Sequence, residues 1–280
     1  MKRIFFLFII LIGLYLIVTN VGSWLSFGKG NTESAVAANI KMIEIDLSSV
    51  NATIIPEKRD DIKADLDGKG KVNINKSGNK IRIEYEQNLL DGIQFLNHTS
   101  ELNIYIPEDY DQSMTIDVGS GYLQFDGSSM ELDELKIDLS SGKIDLTNMT
   151  TEKFVNKGSS GMIDINKLVT KAGTIDMSSG IIKVKNYQGA LDASVSSGQL
   201  NIQIDKLVDD LNVKASSGQI KLDLPDGADF TFNGKASSGF IDCDLPLTNK
   251  ITDEDKIEGV SGSGKHSVDV NITSGLAKIF

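Results

Sequence analysis

The chain has 280 residues, of which 40% are hydrophobic and 24% charged, and its 39 acidic and 28 basic residues give a net charge of −11. The apolar fraction is too high for a disordered chain, and the acidic balance argues against a nucleic-acid-binding protein, which needs a basic face. A single cysteine, Cys243, excludes an intrachain disulfide framework and a metal site built from several cysteines.

Residues 1–27 predict a short cytoplasmic tip and a transmembrane signal anchor. Residues 4–25 are uncharged, apolar up to Val18 and mildly polar after it, and this length suffices for a helix across the hydrocarbon core; Trp24 stands where an interfacial residue belongs. Lys2 and Arg3 precede this stretch, so the positive-inside rule puts the N-terminus in the cytoplasm and the bulk of the chain outside it. The A-x-A sequence at 35–37 lies too far from the apolar run for normal cleavage, which favours an uncleaved anchor over a cleaved signal peptide. Residues 28–42 then form a linker.

A repeat follows, with a period of about 20 residues that is typical of a solenoid coil. Each copy carries Ser-Ser-Gly or a near variant, with its glycine at Gly121, Gly142, Gly161, Gly180, Gly198, Gly218 and Gly239. Apolar residues stand two and four positions after each glycine, with a mostly polar residue between them. Before the glycine, the apolar residues stand three, five and seven positions away from it. This alternation indicates half-buried strands, and its slip by one residue requires a corner at the glycine. We expect the glycines to be structural and the preceding serine to point into the corner; the alternative is a ladder of nucleophiles or ligands.

The predicted fold is all-β: a single-stranded parallel β-solenoid of about 20-residue coils, preceded by one N-terminal transmembrane helix. An antiparallel meander is the competing topology. Weaker copies of the repeat at 43–54 and 268–279 are expected to cap the solenoid. The solenoid spans 43–280 and divides into an irregular part (43–113), regular repeats (114–245), a loop (246–266) and a C-terminal coil (267–280). The irregular part contains predicted strands at 62–66, 71–75, 80–86 and 102–106, and an insertion loop at 88–99.

Three segments carry a resemblance to a known family. They are Leu-Asn-Ile-Tyr-Ile-Pro-Glu-Asp-Tyr at 102–110, Thr-Ile-Asp-Val-Gly-Ser-Gly at 115–121 and Asp-Leu-Ser-Ser-Gly-Lys-Ile-Asp-Leu at 138–146. Together they resemble the signature of a bacterial adhesin-like family of unknown function, over residues 40–280. With the anchor, the whole chain resembles the LiaG-like proteins, which are membrane-anchored and associated with the cell-envelope stress response of Gram-positive bacteria. The resemblance implies a single-pass cell-membrane protein that binds at the surface, and it supplies no catalytic residues.

Enzymatic interpretations have weak support in the sequence. Residues 259–266 nearly match a phosphate-binding loop, but His266 replaces the serine or threonine that should reach Mg²⁺. The two histidines, His98 and His266, lie in predicted loops, and no G-x-S-x-G motif surrounds a serine, which argues against acyl transfer. Arg59 and Arg82 lie outside the regular repeat, which argues against a polysaccharide lyase. Cys243 falls at an inward position and is expected to be inert packing. We therefore predict no enzyme and no cofactor.

The outward aspartates of the repeat are the remaining candidates for a site. Asp138, Asp145 and Asp164 are the candidate calcium ligands, because a bound cation would offset the repulsion between carboxylates on stacked coils. The alternative is a solvated face that the neighbouring lysines neutralise.

The leading hypothesis for function is a non-enzymatic envelope protein that binds a surface polymer or a partner protein and takes part in the envelope stress response. The acidic body favours a cationic partner over anionic lipid. One alternative is a structural solenoid that self-associates through an uncovered final strand, Leu276–Phe280. The other is a carbohydrate-active β-helix enzyme.

Overall fold

The computed structural model describes residues 31–87, 100–127 and 129–280, and in these residues the chain is entirely β. The predicted anchor (1–27), the insertion loop (88–99) and His98 lie outside the described residues. No helix in the described part of the chain has the length and apolarity to cross a membrane. The sixteen strands described are β1 (Asn31–Val36), β2 (Met42–Leu47), β3 (Asn51–Glu57), β4 (Asp61–Asp67), β5 (Lys71–Ser77), β6 (Lys80–Glu86), β7 (Glu101–Pro107), β8 (Ser113–Phe125), β9 (Met130–Gly158), β10 (Met162–Lys206), β11 (Leu211–Asp223), β12 (Phe230–Ala236), β13 (Phe240–Cys243), β14 (Thr248–Thr252), β15 (Lys256–Ser261) and β16 (His266–Ile279).

The repeats stack as parallel coils. Strands β8, β9, β10, β11 and β16 each continue through a glycine corner, and they pair in parallel so that glycine lies beside glycine from coil to coil. The four strands predicted between 62 and 106 are present as β4, β5, β6 and β7. Parallel pairing in register confirms the β-solenoid and excludes an antiparallel meander for these coils.

The core follows the alternation that the sequence predicts. All fourteen apolar residues two and four positions after the repeat glycines are buried, from Leu123 and Phe125 to Ile241 and Cys243. They form one continuous core of stacked isoleucine, leucine and valine rows with the inward residues that precede the glycines. Burial of these rows is the main stabilising contribution in a solenoid, because each coil covers the apolar face of its neighbours.

Three polar side chains are buried among the described residues; Thr151 and Thr170 bond to each other, whereas Asn156 interrupts an inward row. Asn156 is only 1% exposed and lies beside Ile175 in a row that also contains Ile137. Its Nδ2 donates to the Ile137 carbonyl at 3.4 Å, and its Oδ1 has no hydrogen-bond partner. Leaving a buried acceptor unpaired costs free energy, so Asn156 weakens this core.

The order of the coils differs from the order in the sequence. Strand β16 lies between β11 on one side and β12 with β13 on the other. Strands β2 and β3 likewise lie between β8 and the pair β6 and β7. The weaker copies of the repeat are therefore interior coils, and the prediction that they cap the solenoid is wrong. The final strand is also covered on both edges, so it cannot be the self-association surface proposed from the sequence.

Antiparallel strands cover most of the two ends. Strand β1 pairs with β4 and β5 with β6 at one end, while β15 pairs with β12 and β14 with β15 at the other. Residues 28–42 therefore contain a strand, and residues 246–266 contain two, where a linker and a loop were predicted. The side chains of β1 and β14 are mostly exposed, so these two strands lack the apolar alternation that marks the coils, whereas β15 buries Ile257. Such strands protect the open edges of a sheet. Strand β13 pairs only with β16, and its Phe240 is 63% exposed.

Candidate functional site

The repeat glycines form a stacked corner in which a side chain at the glycine positions would clash with the adjoining coil. Seven stacked corner glycines have φ between +115° and +156°; they are Gly121, Gly142, Gly161, Gly180, Gly198, Gly218 and Gly275. A Cβ atom on any of them would lie less than 3.0 Å from the carbonyl oxygen of the residue in the adjoining coil. Gly239 has the same close contact but no positive φ, and Val50 occupies the corresponding position in the coil of β2 and β3. The glycines are therefore needed both for the conformation and for the close stacking of backbones.

The serines that precede the glycines are exposed, so the prediction that they point into the corner is wrong. At the glycine, the backbones of adjoining coils come together and leave no space for a side chain. The side chain of the preceding serine therefore points outward. The exposed positions are Ser120, Ser141, Ser160, Ser179, Ser197, Ser217, Ser238 and Ser274. In the described chain no hydrogen bond joins any of them to a histidine. These serines therefore show no bond to a described histidine of the kind that activates a nucleophile.

The three candidate calcium ligands do not meet in one place. Asp138 precedes its glycine and lies beside Asp117, whereas Asp145 and Asp164 follow their glycines and lie beside each other. Asp138 is bonded to Lys136, and Asp145 accepts bonds from Lys143 at 2.6 Å and from Tyr122 at 2.5 Å. Within the described ranges, no three acidic, histidine or cysteine side chains are grouped closely enough to hold a metal ion.

The stacked carboxylates have electrostatic consequences of their own. Partial removal from water, together with the negative charges of Asp46 and Asp138, raises the pKa of Asp117 above its usual value. Burial and the hydrogen bond to Asp145 raise the pKa of Tyr122 to about 12. These shifts follow from coil stacking, because identical offsets in neighbouring coils put like charges side by side.

The glycine-rich segment at 259–266 surrounds an internal carboxylate. Asp229 accepts hydrogen bonds from the Lys265 backbone amide at 3.0 Å and from the Ser263 hydroxyl at 2.7 Å. These bonds lower the pKa of Asp229, with further bonds from the Ser263 and Gly264 amides. The loop does bind an anion, but that anion belongs to the protein. Its donors are already used, so it is a structural turn between β15 and β16 and does not support a nucleotide site.

The other residues considered for chemistry have structural partners. Arg59 is paired with Glu57 and Asp61, and Arg82 forms its shortest ion pair with Glu84. Burial raises the pKa of the Cys243 thiol, as expected for inert packing. His266 begins β16, and its backbone amide bonds to the Asp229 carbonyl. None of them is placed as the base or acid of a reaction site.

A polar groove of about 710 Å³ lies on the outer surface of the strand segments that precede the glycines. It crosses β10, β11, β16, β12 and β15, which are hydrogen-bonded in that spatial order. Its floor at one end is made of the small residues Ala172, Gly173 and Ala190. The remainder of its lining is carried by two rows of polar side chains, which run across the strands.

The first row alternates acids and amides. Its members in spatial order are Asp192, Asn212, Asp269, Asn233 and Glu258. Asn212 donates to Asp192 at 3.2 Å, and Asn233 donates to Asp269 at 3.0 Å. Ser267 donates its hydroxyl to the other oxygen of Asp269 at 2.6 Å. These bonds hold the carboxylates in fixed positions along the groove.

The second row lies beside the first, two residues away on each strand, and contains Ser194, Lys214, Asn271, Lys235 and Lys256. Lys256 is paired with Glu258 at 2.5 Å. Lys214 and Lys235 are exposed, and neither side chain makes an ion pair or a hydrogen bond with another described residue. The groove therefore presents two ammonium groups without a bonded partner, together with the carboxylates of Asp192, Asp210, Asp269 and Glu258.

Sequence reasoning missed this groove, although a signal for it exists. The polar residues at 192, 212, 233 and 269 all stand six positions before the glycine of their repeats, and Lys214 and Lys235 stand four positions before theirs. Reading these offsets across coils would have found both rows. Their true order required the position of β16, which places residue 269 between 212 and 233.

Comparisons with known proteins agree with this architecture. No protein of curated function shows a significant match to the chain. The fold resembles the crystal structure of a "putative adhesin" from Parabacteroides merdae, with a TM-score of 0.55, 14% identity, and coverage of 91% of this chain and 97% of that chain. A second "putative adhesin", from Bacteroides fragilis, gives a TM-score of 0.54 at 12% identity, with coverage of 90% and 97%. At such identities the likeness concerns the fold alone. The sequence profile described as Toastrack DUF4097 matches residues 40–279, and the chain therefore belongs to the Toastrack DUF4097 family.

Proposed function

We propose that this protein is a non-enzymatic, adhesin-like binding protein whose polar groove binds a surface polymer. The observation that carries the proposal is the groove itself, which combines ordered carboxylates with the unpaired Lys214 and Lys235. Structural neighbours named as adhesins support a binding role. The two polar rows repeat from strand to strand, which suits contact with an extended ligand.

The solenoid suits a polymer better than a small molecule. Each strand of the groove contributes one residue to each row, and the strands are held at a fixed spacing by continuous backbone pairing. A ligand that repeats along its length can make the same contact on successive coils. Because the coils are rigid, little conformational entropy is lost when such contacts form.

We further propose that residues 1–27 anchor the chain in the cell membrane and place the groove outside the cytoplasm, where envelope polymers are found. Protease treatment of intact cells should then degrade the solenoid but spare a cytoplasmic control protein. We also propose a role in the envelope stress response, as the resemblance to the LiaG-like proteins implies, and we expect deletion of the gene to change survival under cell-wall antibiotics. Full protection of the solenoid in intact cells would contradict the proposed location.

A blocked groove provides the test of binding. The full chain, purified in mild detergent, would be mixed with fractionated envelope glycan, anionic polymer, membrane and surface protein. Asn271 lies between Lys214 and Lys235, so Asn271→Trp should fill the groove and abolish capture of the bound fraction. Asn201→Trp is the matched control, because Asn201 is equally half-buried between two lysine-bearing strands but follows its glycine. Equal capture by both variants would refute the groove as the binding surface.

A further inference from the structure

We propose that the polar groove binds a neutral, hydroxyl-rich polysaccharide that lies across the strands, with about one sugar on each strand. This inference rests on the proposed function and names the class of its ligand. It follows from the mixture of charges in the lining, the spacing of the strands and the small side chains at one end of the groove.

The charged groups that line the groove have both signs and lie among one another. Glu258 is paired with Lys256, which leaves the carboxylates of Asp192, Asp210 and Asp269 with the ammonium groups of Lys214 and Lys235. Asp269 is on β16, between the strands that carry the two lysines. An anionic polymer would meet the carboxylates and a cationic polymer the ammonium groups, and such like-charge contacts cost free energy. A neutral ligand avoids both kinds of repulsion.

Hydroxyl groups can use both kinds of charged group, because a hydroxyl donates one hydrogen bond and accepts others. Sugar hydroxyls would donate to the carboxylates of the first row and accept from Lys214 and Lys235 in the second. Those two ammonium groups have no bonded partner among the described residues, so their donors are available. Asn212 holds Asp192 and Asn233 holds Asp269, so these acceptors are in place before a ligand binds.

The strand spacing fits a chain of sugars. The groove crosses β10, β11, β16, β12 and β15, and neighbouring strands of a sheet are about 4.8 Å apart. One sugar of an extended β-linked polysaccharide has a similar length, so each strand would contact one sugar. Successive sugars of such a chain are turned over relative to each other. The first row alternates in the same way, with a carboxylate and then an amide from strand to strand.

One end of the groove is suited to the apolar face of a sugar ring. Its floor there contains Ala172 and Ala190, whose side chains are exposed and partly exposed. A methyl group leaves room for a ring to approach the strand, whereas a longer side chain would hold it away. The C–H groups of the ring would pack on these methyl groups, and burial of that apolar surface favours binding.

This ligand differs from the cationic partner that the net charge favours. The net charge of −11 acts at long range and is screened by salt, whereas the choice of ligand depends on the groups that touch it. Because the proposed ligand is uncharged, its affinity should be the same at low and at high salt. A charged ligand would lose affinity as salt is added.

The test compares oligosaccharides with the same β-linked backbone by calorimetry on the full chain, in a polyoxyethylene detergent that carries no sugar. Cello-oligosaccharides are neutral, chitosan oligosaccharides carry amines and cellouronate oligosaccharides carry carboxylates. We expect the neutral series to bind most tightly. Its affinity should rise with length up to about five sugars, one for each strand, and then stay constant.

The variant D192N/D269N keeps the shape of the groove but replaces two carboxylate acceptors by weaker amide acceptors. It should bind the neutral pentasaccharide about fivefold more weakly for each substitution and about 25-fold in total. It should also bind cellouronate more tightly, because two like charges are removed. The matched control D205N/D242N removes the same charge from strand segments that follow their glycines, again at one exposed and one partly exposed position. We expect the control to leave both affinities unchanged.

Equal loss in the two double variants, or equal or tighter binding of chitosan or cellouronate oligosaccharides by the unmodified chain, would overturn the inference. If no cello-oligosaccharide binds while Asn271→Trp still abolishes capture of an envelope fraction, the ligand class is wrong and the proposed function stands. If both experiments fail, both are wrong.

Discussion

A single added methyl group in the stacked corner is expected to destabilise the protein strongly. Gly180 lies in the middle of the regular repeats, with φ at +129°. In Gly180→Ala, the Cβ atom would lie within 3.0 Å of the Gly161 carbonyl oxygen and would also meet Met177. The sparsely populated backbone conformation costs about 1–3 kcal/mol. Overlap with a backbone that is paired on both sides costs a further 1–3 kcal/mol or so. The free energy of unfolding should therefore fall by about 2–6 kcal/mol.

Gly227→Ala separates the two contributions. Gly227 has φ at +72°, but a Cβ atom there has nothing within 4 Å. Its substitution should cost only the conformational part, about 1–2 kcal/mol. Urea unfolding followed by far-UV circular dichroism measures both variants under the same conditions. If the two unfolding midpoints shift equally, the close stacking of backbones at the corner contributes nothing to stability.

Three further substitutions test the buried and charged groups. Asn156→Leu removes the unpaired amide from the core and should raise the free energy of unfolding by about 1 kcal/mol; a lower urea midpoint would contradict this. Asp229→Asn should lower the melting temperature at neutral pH, whereas Asp226→Asn, on the exposed neighbouring turn, should not. Because the pKa of Asp229 is lowered in the fold, its contribution is present above the unfolded value and disappears as pH falls through the folded one, so the two variants should converge in acid. Asp117→Asn should raise the melting temperature at neutral pH, because a raised pKa means that ionisation of this carboxyl opposes folding. That gain should vanish below the unfolded pKa, and a gain that persists there would show that charge is not its cause.

The alternation of apolar residues was sufficient to predict the core and the solenoid class. Side chains in a strand alternate between two faces, so Ile144 and Leu146 could be placed inside and Asp145 outside from the sequence alone. The recurring glycine marked the corner, because the inward phase changes there and only a corner permits that change. The same reasoning failed for the serines, since alternation does not continue through a residue with positive φ.

The order of the coils was decided only by the tertiary structure. Every coil presents similar apolar rows and a similar glycine, and parallel backbone pairing between such coils does not depend on which coil is next in the chain. Backbone pairing therefore does not require the coils to stack in sequence order. In the structure, β16 lies between β11 and β12. Ends covered by antiparallel strands make that arrangement favourable, because they satisfy edges that would otherwise stay open. The groove depends on this insertion, which brings Asp269 and Asn271 between residues that are earlier in the chain. The sequence by itself thus determined what each coil contains and which side faces the core, while the stacking of coils, a long-range choice among nearly equivalent edges, determined the candidate site.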